Sequence, residues 1–340
     1  MLYRLFGRTG IKVSVFSLGS WISFDKQLSP AQVNQCMQYA FDQGINLFDT
    51  AEVYGEGRVE KVMGHALGQL ALPRDEYMIC SKVFWGGPAH TQIGLHRKHL
   101  IEGCNKSLKR LGQDYIDFYL CHRPDPNTAM EEIVIAMNIL IQQGKIFYWG
   151  TSEWPGHLIL EAYYVAKQLN LVPPNIEQFE YNLLHREMGE KIIPEINAKI
   201  GVGSMVTMPL ARGVLAGRYN KTISADSRVN LSSHAVFRDA LYSDEGRHQL
   251  IKAKKMSKLS EQLGLTQAQL SLAWCLHNQD MHTVILGFSR FEQLQENLGA
   301  LSFLSQGGVD DATLAALDEI FCNKPMPHYE ASYAEVIAGS

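Results

Sequence analysis

The sequence predicts an α/β fold, a (β/α)8 TIM barrel, and three observations lead there. About eight short apolar segments alternate with segments of helical periodicity along the 340 residues. The apolar segments do not alternate inside and outside, as expected of parallel strands buried on both faces. No G-x-G-x-x-G follows the first strand, which disfavours an open doubly wound sheet, and no proline-, glycine- or serine-rich linker divides the chain. Residues 1–340 are read as a single domain carrying an N-terminal β-hairpin, extra helices and a long loop over 208–248. That loop is too long for a mere connector and is read as a lid or clamp.

The elements follow in order. L-Y-R-L-F-G-R-T-G-I-K-V-S reads as two strands around a glycine-bearing turn, and Val15–Leu18 as the first barrel strand, ending at Gly19. Ser29-Pro30 opens a helix with a cap residue before proline, and Gly44 closes it. A strand then runs to Asp49. The pattern repeats: a helix over 59–70 and a strand to Lys82, a helix over 98–111 and a strand to His122, a helix over 130–143 and a strand to Ser152. Next come a helix over 156–169, a strand near Gln178, a helix over 187–199 and a strand to Thr207. Helices over 249–263 and 267–277, a strand to Gly287 and a helix over 291–301 complete the barrel.

With 46% hydrophobic and 19% charged residues, the composition is that of an ordinary globular protein. A net charge of -4 supplies no basic field for nucleic acid. No apolar run is long enough for membrane insertion, and the N-terminus lacks a signal-peptide pattern. The expected location is cytoplasmic. The six cysteines form no CxxC and read as buried free thiols.

Asp49, Lys82 and His122 end three consecutive strands, and Tyr54 lies on the glycine-punctuated loop after the first of them. Each has an ordinary structural alternative, such as a solvated strand-end lysine or a hydrogen-bonded rim histidine. A barrel nevertheless aims all four at one mouth. A free tyrosine has a pKa near 10, and a neighbouring ammonium is expected to lower it. Asp49 is expected to hold Lys82 charged and in place, and His122 to polarise a carbonyl oxygen. Tyr54 is then the general acid for carbonyl reduction. The set holds no relayed nucleophile and no metal triad, so the hydride has to come from a cofactor.

These residues, within L-F-D-T-A-E-V-Y-G-E-G, I-C-S-K and L-C-H-R-P-D, resemble the catalytic tetrad of the aldo-keto reductases, which are TIM-barrel, nicotinamide-dependent carbonyl reductases. The resemblance covers about residues 3–325. Y-W-G-T-S, P-L-A-R-G-V-L-A-G-R-Y and L-G-F-S-R-F-E-Q-L-Q-E-N are similar to the branch containing the voltage-gated potassium channel β subunits and their bacterial relatives. The resemblance implies that Ser152, Glu153 and Gln178 hold the nicotinamide, with Asp49 beside it, while Ser20, Trp21 and Gln27 line the near side. It further implies that Thr207, Met208, Pro209, Leu210, Ala211 and Arg212, with Arg218 and Arg228, wrap the pyrophosphate under the long loop. Gly287, Ser289, Arg290, Gln293, Glu296 and Asn297 are expected at the adenosine end. Gly287–Arg290 lies at a helix start, where free N–H groups suit an anion. Arg290 and Arg218 add charge for a 2'-phosphate, which favours NADPH/NADP+ over NADH.

The chain departs from the channel subunits at His122, where they have Asn, at Glu153, which replaces a basic residue, and at Thr207-Met208, which replace Trp-Ser. Its N-terminus is also expected to leave no room for an inactivation peptide. Two readings follow: an NADPH-dependent reductase of small-molecule aldehydes and ketones, or a channel-associated redox sensor with slow turnover. The relatives imply a homo-tetramer. Trp21, Tyr54, Phe84, Trp85 and His122 are the expected substrate pocket, with Phe24 and Trp154 as further aromatic candidates.

Overall fold

The hairpin strands β1 (Tyr3–Leu5) and β2 (Lys12–Ser14) pair antiparallel. Eight parallel strands then close into a barrel: β3 (Phe16–Gly19), β4 (Leu47–Asp49), β5 (Met78–Val83), β6 (Ile116–Cys121), β7 (Ile146–Ser152), β8 (Ile176–Glu180), β9 (Gly203–Thr207) and β10 (Thr283–Leu286). Each pairs with its neighbour in sequence, and β10 pairs back onto β3. The computed structural model describes residues 1–21, 23–220 and 235–326.

The helices are α1 (Pro30–Asp42), α2 (Arg58–Leu70), α3 (Arg97–Leu111), α4 (Met130–Gln142), α5 (Gly156–Gln168), α6 (Ile193–Lys199), α7 (Ala235–Tyr242), α8 (Asp244–Gln262), α9 (Gln267–His277), α10 (Phe291–Leu298), α11 (Ala300–Ser305) and α12 (Asp311–Phe321). The start of α1 follows from its sequence. The Ser29 hydroxyl accepts the Gln32 N–H, the Gln32 side chain reaches back to Ser29, and Pro30 occupies a position that needs no donor.

The predicted helix over 187–199 begins instead with a widened π turn, Met188–Ile192, before α6. Pro194 sits in the first turn of α6 and lacks the N–H that a continuous ladder needs. The helix expected from 249 begins earlier, at Asp244, because the Ser243 hydroxyl accepts the Gly246 N–H and two acids follow in the first turn. That helix and α7 occupy the end of what reads in sequence as a loop, and positions 221–234 of the loop lie outside the described residues. The last predicted barrel helix breaks at Gly299, and α12, capped by Asp310, was not anticipated.

Contacts divide the chain into two compact units. The first comprises Met1–Glu180, Ile192–Thr207 and Gln279–Gln295, and so holds the hairpin and every barrel strand. The barrel interior is an apolar cluster of Leu47, Met78, Cys80, Phe118, Leu120, Ile176, Met205 and Ile285. Phe6 and Val13 of the hairpin region join it. The Phe6 ring meets Phe118 edge-on at 5.2 Å near the start of β6, so the hairpin plugs the N-terminal end of the barrel.

The second unit comprises Tyr181–Lys191, Met208–Asn278 and the described residues from Glu296 onward. Its organising group is Arg186, 5% exposed. This guanidinium grips both oxygens of Glu190 (2.7 and 2.9 Å), reaches Asp318 of α12 (2.6 Å) and lies over Trp274 of α9 (5.2 Å). Among the described residues no helix is long and apolar enough to cross a membrane.

Candidate active site

Side chains two apart on a strand share a face. Asp49 follows Leu47 by two, Lys82 follows Cys80, His122 follows Leu120 and Gln178 follows Ile176, so each inherits the inward direction of a core residue. The apolar interior is thus capped at the C-terminal end of the strands by a layer of polar groups, all in the first unit.

The Lys82 ammonium, fully buried, has three protons to place. Asp49 lies at 2.7 and 2.8 Å, the Thr50 carbonyl at 2.7 Å and the Tyr54 phenol oxygen at 3.3 Å. Asp49 also accepts from Gln178 Nε2 (2.9 Å), and its carbonyl accepts both the N–H and the hydroxyl of Ser20. Burial alone lowers the lysine pKa, but Asp49 and Tyr54 outweigh it and hold the ammonium above its ordinary value.

Tyr54 is half-buried on a sharp turn. Gly55, Glu56 and Gly57 follow it with φ of 55°, 56° and 83°, all left-handed, and lead straight into α2. A Cβ at Gly55 would stand 2.8 Å from the Asp25 carboxylate, which is paired with Arg58 at 3.0 Å. The expected lowering of the Tyr54 pKa is reversed. Burial pushes the phenol above 10, and Asp49 adds to this, against the downward pull of Lys82. At neutral pH Tyr54 therefore carries its proton.

His122 is 7% exposed, and its Nδ1 has no hydrogen-bond partner among the described residues. Its ring stands edge-on to Tyr54 (6.0 Å) and to Trp85 (5.3 Å). Burial, then the charges of Lys82 and Arg123, push its pKa down to about 2. The ring is neutral at pH 7: it offers a hydrogen bond but stores no proton to give away.

Of the other predicted pocket residues, Trp21 (44% exposed, 6.1 Å from Tyr54) and Trp85 (38% exposed) show open faces, and Phe84 packs on Trp85 at 4.6 Å. Phe24 and Trp154, each 2% exposed, belong to the core instead. Ser152 is buried at the end of β7, and its hydroxyl bonds to no other described residue. Ser20 is buried with its hydroxyl committed to Asp49, while Gln27 is half-buried in the turn before α1. Glu153 has a left-handed φ of 57°, donates its N–H to the Gln178 carbonyl and accepts the Glu180 N–H. At the start of α10, Gln293 takes both the N–H and the hydroxyl of Ser289, so the donors expected there are not all free. Gly287 and Arg290 are exposed, and a Cβ at Gly287 would meet nothing. Thr207 ends β9, half-buried.

The remaining predicted cofactor residues lie in the second unit. Met208, Ala211 and Arg212 are left-handed (φ 51°, 44° and 54°), Pro209 is buried, and Leu210 and Arg218 are half-buried. Arg212 lies 5.8 Å from the Phe237 ring centroid. Asn297 is buried and Glu296 exposed, its carbonyl accepting from Gln269. Arg228 lies outside the described residues.

Among the buried acids that escaped the sequence reading, two brace the loops beside the site. Glu52, 3% exposed, accepts the Phe84 N–H (2.8 Å) and faces His99 (3.2 Å), bracing the loop that carries Trp85. Glu177, fully buried, binds the Thr151 hydroxyl and the Trp154 N–H (3.1 Å), and burial raises its pKa to about 8. The available signal was an acid inside an apolar strand, I-E-Q-F-E. Arg123, next to His122 in sequence, was passed over as well. Its guanidinium bonds the His122 carbonyl (2.5 Å) and lies 5.8 Å from the Trp85 ring centroid.

Residues 16–320, most of the chain and all eight barrel strands, match the model of the aldo/keto reductase family.

Proposed function

On the premise that the chain belongs to the aldo/keto reductase family, whose members reduce carbonyls with a nicotinamide cofactor, we propose that it is an NADPH-dependent reductase of small aldehydes and ketones with Tyr54 as general acid. The observation that carries the reading is the line Asp49–Lys82–Tyr54. A buried ammonium, neutralised by one carboxylate, also donates to the oxygen of a half-buried phenol.

The nicotinamide, when bound, supplies hydride to the carbonyl carbon. The chain's own residues do the rest. Tyr54 holds a proton at neutral pH and gives it to the substrate oxygen as negative charge develops there. Lys82 stabilises the phenolate left behind, and Asp49 keeps the lysine charged and fixed. The neutral His122 donates a hydrogen bond to the same oxygen from its less buried edge. It cannot be the acid, because its conjugate acid is absent at pH 7. The open Ser152 hydroxyl, beside Gln178 anchored on Asp49, fits the carboxamide of such a cofactor. The exposed Arg290 at the start of α10 supports the choice of a 2'-phosphate. Trp21, Phe84 and Trp85 offer aromatic surface to the body of the substrate and exclude water from the reacting atoms. His122 also favours turnover over the role of a slow channel-associated sensor.

A panel of aldehydes and ketones, followed by loss of NADPH absorbance with NADH run alongside, tests the reading. Consumption that depends on the carbonyl and is faster with NADPH is expected. No consumption with any carbonyl contradicts it.

A further inference from the structure

We infer that Arg123 is an anion anchor at the mouth of this pocket, and that the preferred substrates are carbonyl compounds bearing a carboxylate or a phosphate. The inference rests on the reductase reading above and adds a substrate class to it.

The Lys82 ammonium is offset by Asp49, with Nζ to carboxylate distances of 2.7 and 2.8 Å. His122 is neutral and Tyr54 protonated at pH 7. Arg123 is then a positive charge paired with no acid among the described residues. Among the described residues its guanidinium forms no ion pair, and its one hydrogen bond goes from Nη1 to the His122 carbonyl.

The nearest acid in sequence is already engaged. Asp125 accepts the Leu95 N–H (2.8 Å), the Asn127 N–H (3.0 Å) and the Thr128 hydroxyl (2.8 Å), which shape the turn after β6. Glu52, the buried acid behind the Trp85 loop, is taken by the Phe84 N–H and His99.

The guanidinium is half-buried and lies beside Trp85, whose ring stands 5.3 Å from His122, itself 6.0 Å from Tyr54. A guanidinium with its Nε–H and Nη2 donors unspent is a planar fork suited to two oxygens of a carboxylate or phosphate. Partial burial strengthens that attraction over its value in bulk water. A substrate whose carbonyl oxygen lies between Tyr54 and His122 would pass its body over Trp85 and bring an anionic end to Arg123.

Three substrates that share one ring separate the possibilities: 4-carboxybenzaldehyde, 4-formylphenyl phosphate and the neutral methyl 4-formylbenzoate. Each is assayed with wild type, Arg123→Met and Arg123→Lys, and kcat and KM are resolved. Wild type is expected to favour at least one anionic aldehyde over the ester, with the preference seated in KM. Which anion is favoured distinguishes a carboxylate from a phosphate site. Arg123→Met should reduce that anion-to-ester ratio in kcat/KM by about 10- to 100-fold, as expected when a charge-assisted fork is lost. Arg123→Lys should retain part of it, since charge stays and the fork goes. Taking the ratio cancels general damage and substituent effects on carbonyl reactivity.

A salt titration of wild type needs no variant and holds even if Arg123→Met does not fold. KM for the favoured anion should rise with ionic strength more steeply than KM for the ester. If wild type reduces all three with no preference for an anion, or if Arg123→Met lowers all three equally, the anchor is wrong while the reductase reading stands. If none of the three consumes NADPH and the wider panel of carbonyls also fails, the reductase reading falls and the anchor with it.

Discussion

Two ion pairs at opposite ends of the same barrel show what makes one of them a reaction centre. At the N-terminal end, Arg74 binds Asp117 of β6 at 2.6 Å. The same guanidinium donates to the Tyr77 and Tyr115 carbonyls (2.8 and 3.2 Å), lies over the Tyr115 ring at 3.9 Å and leaves its Nε without a partner among the described residues. Asp117 also accepts the Ile79 N–H (2.8 Å). That pair fastens the start of β5 to β6. At the C-terminal end, Lys82 and Asp49 are more deeply buried, at 0% and 3% exposed, yet one proton of the lysine faces Tyr54. Burial and charge are common to both ends. The difference is a third partner that can itself gain or lose a proton.

Removing the cation from each pair should separate the two roles. Lys82→Met leaves Asp49 buried without compensation and Tyr54 without phenolate stabilisation. A fall in kcat of roughly 10²–10⁴-fold is expected, with a stability loss on the order of 3–5 kcal/mol by denaturant unfolding. Arg74→Met should lose stability to a smaller extent, because its side chain is 23% exposed. Its kcat, measured well below its melting point, should stay within about threefold of wild type, as the pair holds scaffold and not the acid. Equal falls in kcat would abolish the distinction.

The pH dependence of reduction sharpens the same contrast. His122 titrates at about 2, so kcat/KM should show no break near 6.5, where an ordinary histidine would give one. The rate should fall only as Tyr54 loses its proton, above pH 10. An inflection between pH 6 and 7 that disappears in His122→Asn would return the acid role to the histidine.

The smallest effect on turnover is expected at Glu177. Its folded pKa, about 8, lies above the ordinary glutamate value near 4.3. Its favourable contribution to stability is present in full below the unfolded value and is lost as pH rises through 8. Glu177→Gln keeps the acceptor for Trp154 and has no charge to bury. Relative to wild type its melting temperature should therefore rise between pH 5 and pH 8, by roughly 5 °C. A difference independent of pH would mean that the carboxyl ionises in place.

Part of this was legible in the sequence for a definite reason. A charged or polar residue at the edge of an apolar strand is a local pattern: Asp49 ends β4, Lys82 stands one residue before the end of β5, and His122 lies one step past β6. The barrel followed from the same alternation of elements, and so did the cap of α1. The Arg74–Asp117 pair joins residues 43 apart with no local signature, so only the register of β5 on β6 reveals it. The direction of the Tyr54 shift was misread because it depends on how burial compares with Lys82, and burial is not a property of a motif. Glu52 and Glu177 were hidden because their partners, the Phe84 and Trp154 N–H groups, come from neighbouring loops.

The central claim is that the proton comes from Tyr54, and Tyr54→Phe tests it most directly. NADPH binding, followed by fluorescence titration, and NADPH consumption with a reactive aldehyde are measured on the same preparation. Binding within about threefold of wild type, with kcat lowered by roughly 10²-fold or more, is the expected result. Turnover at the wild-type rate with the hydroxyl gone would contradict it.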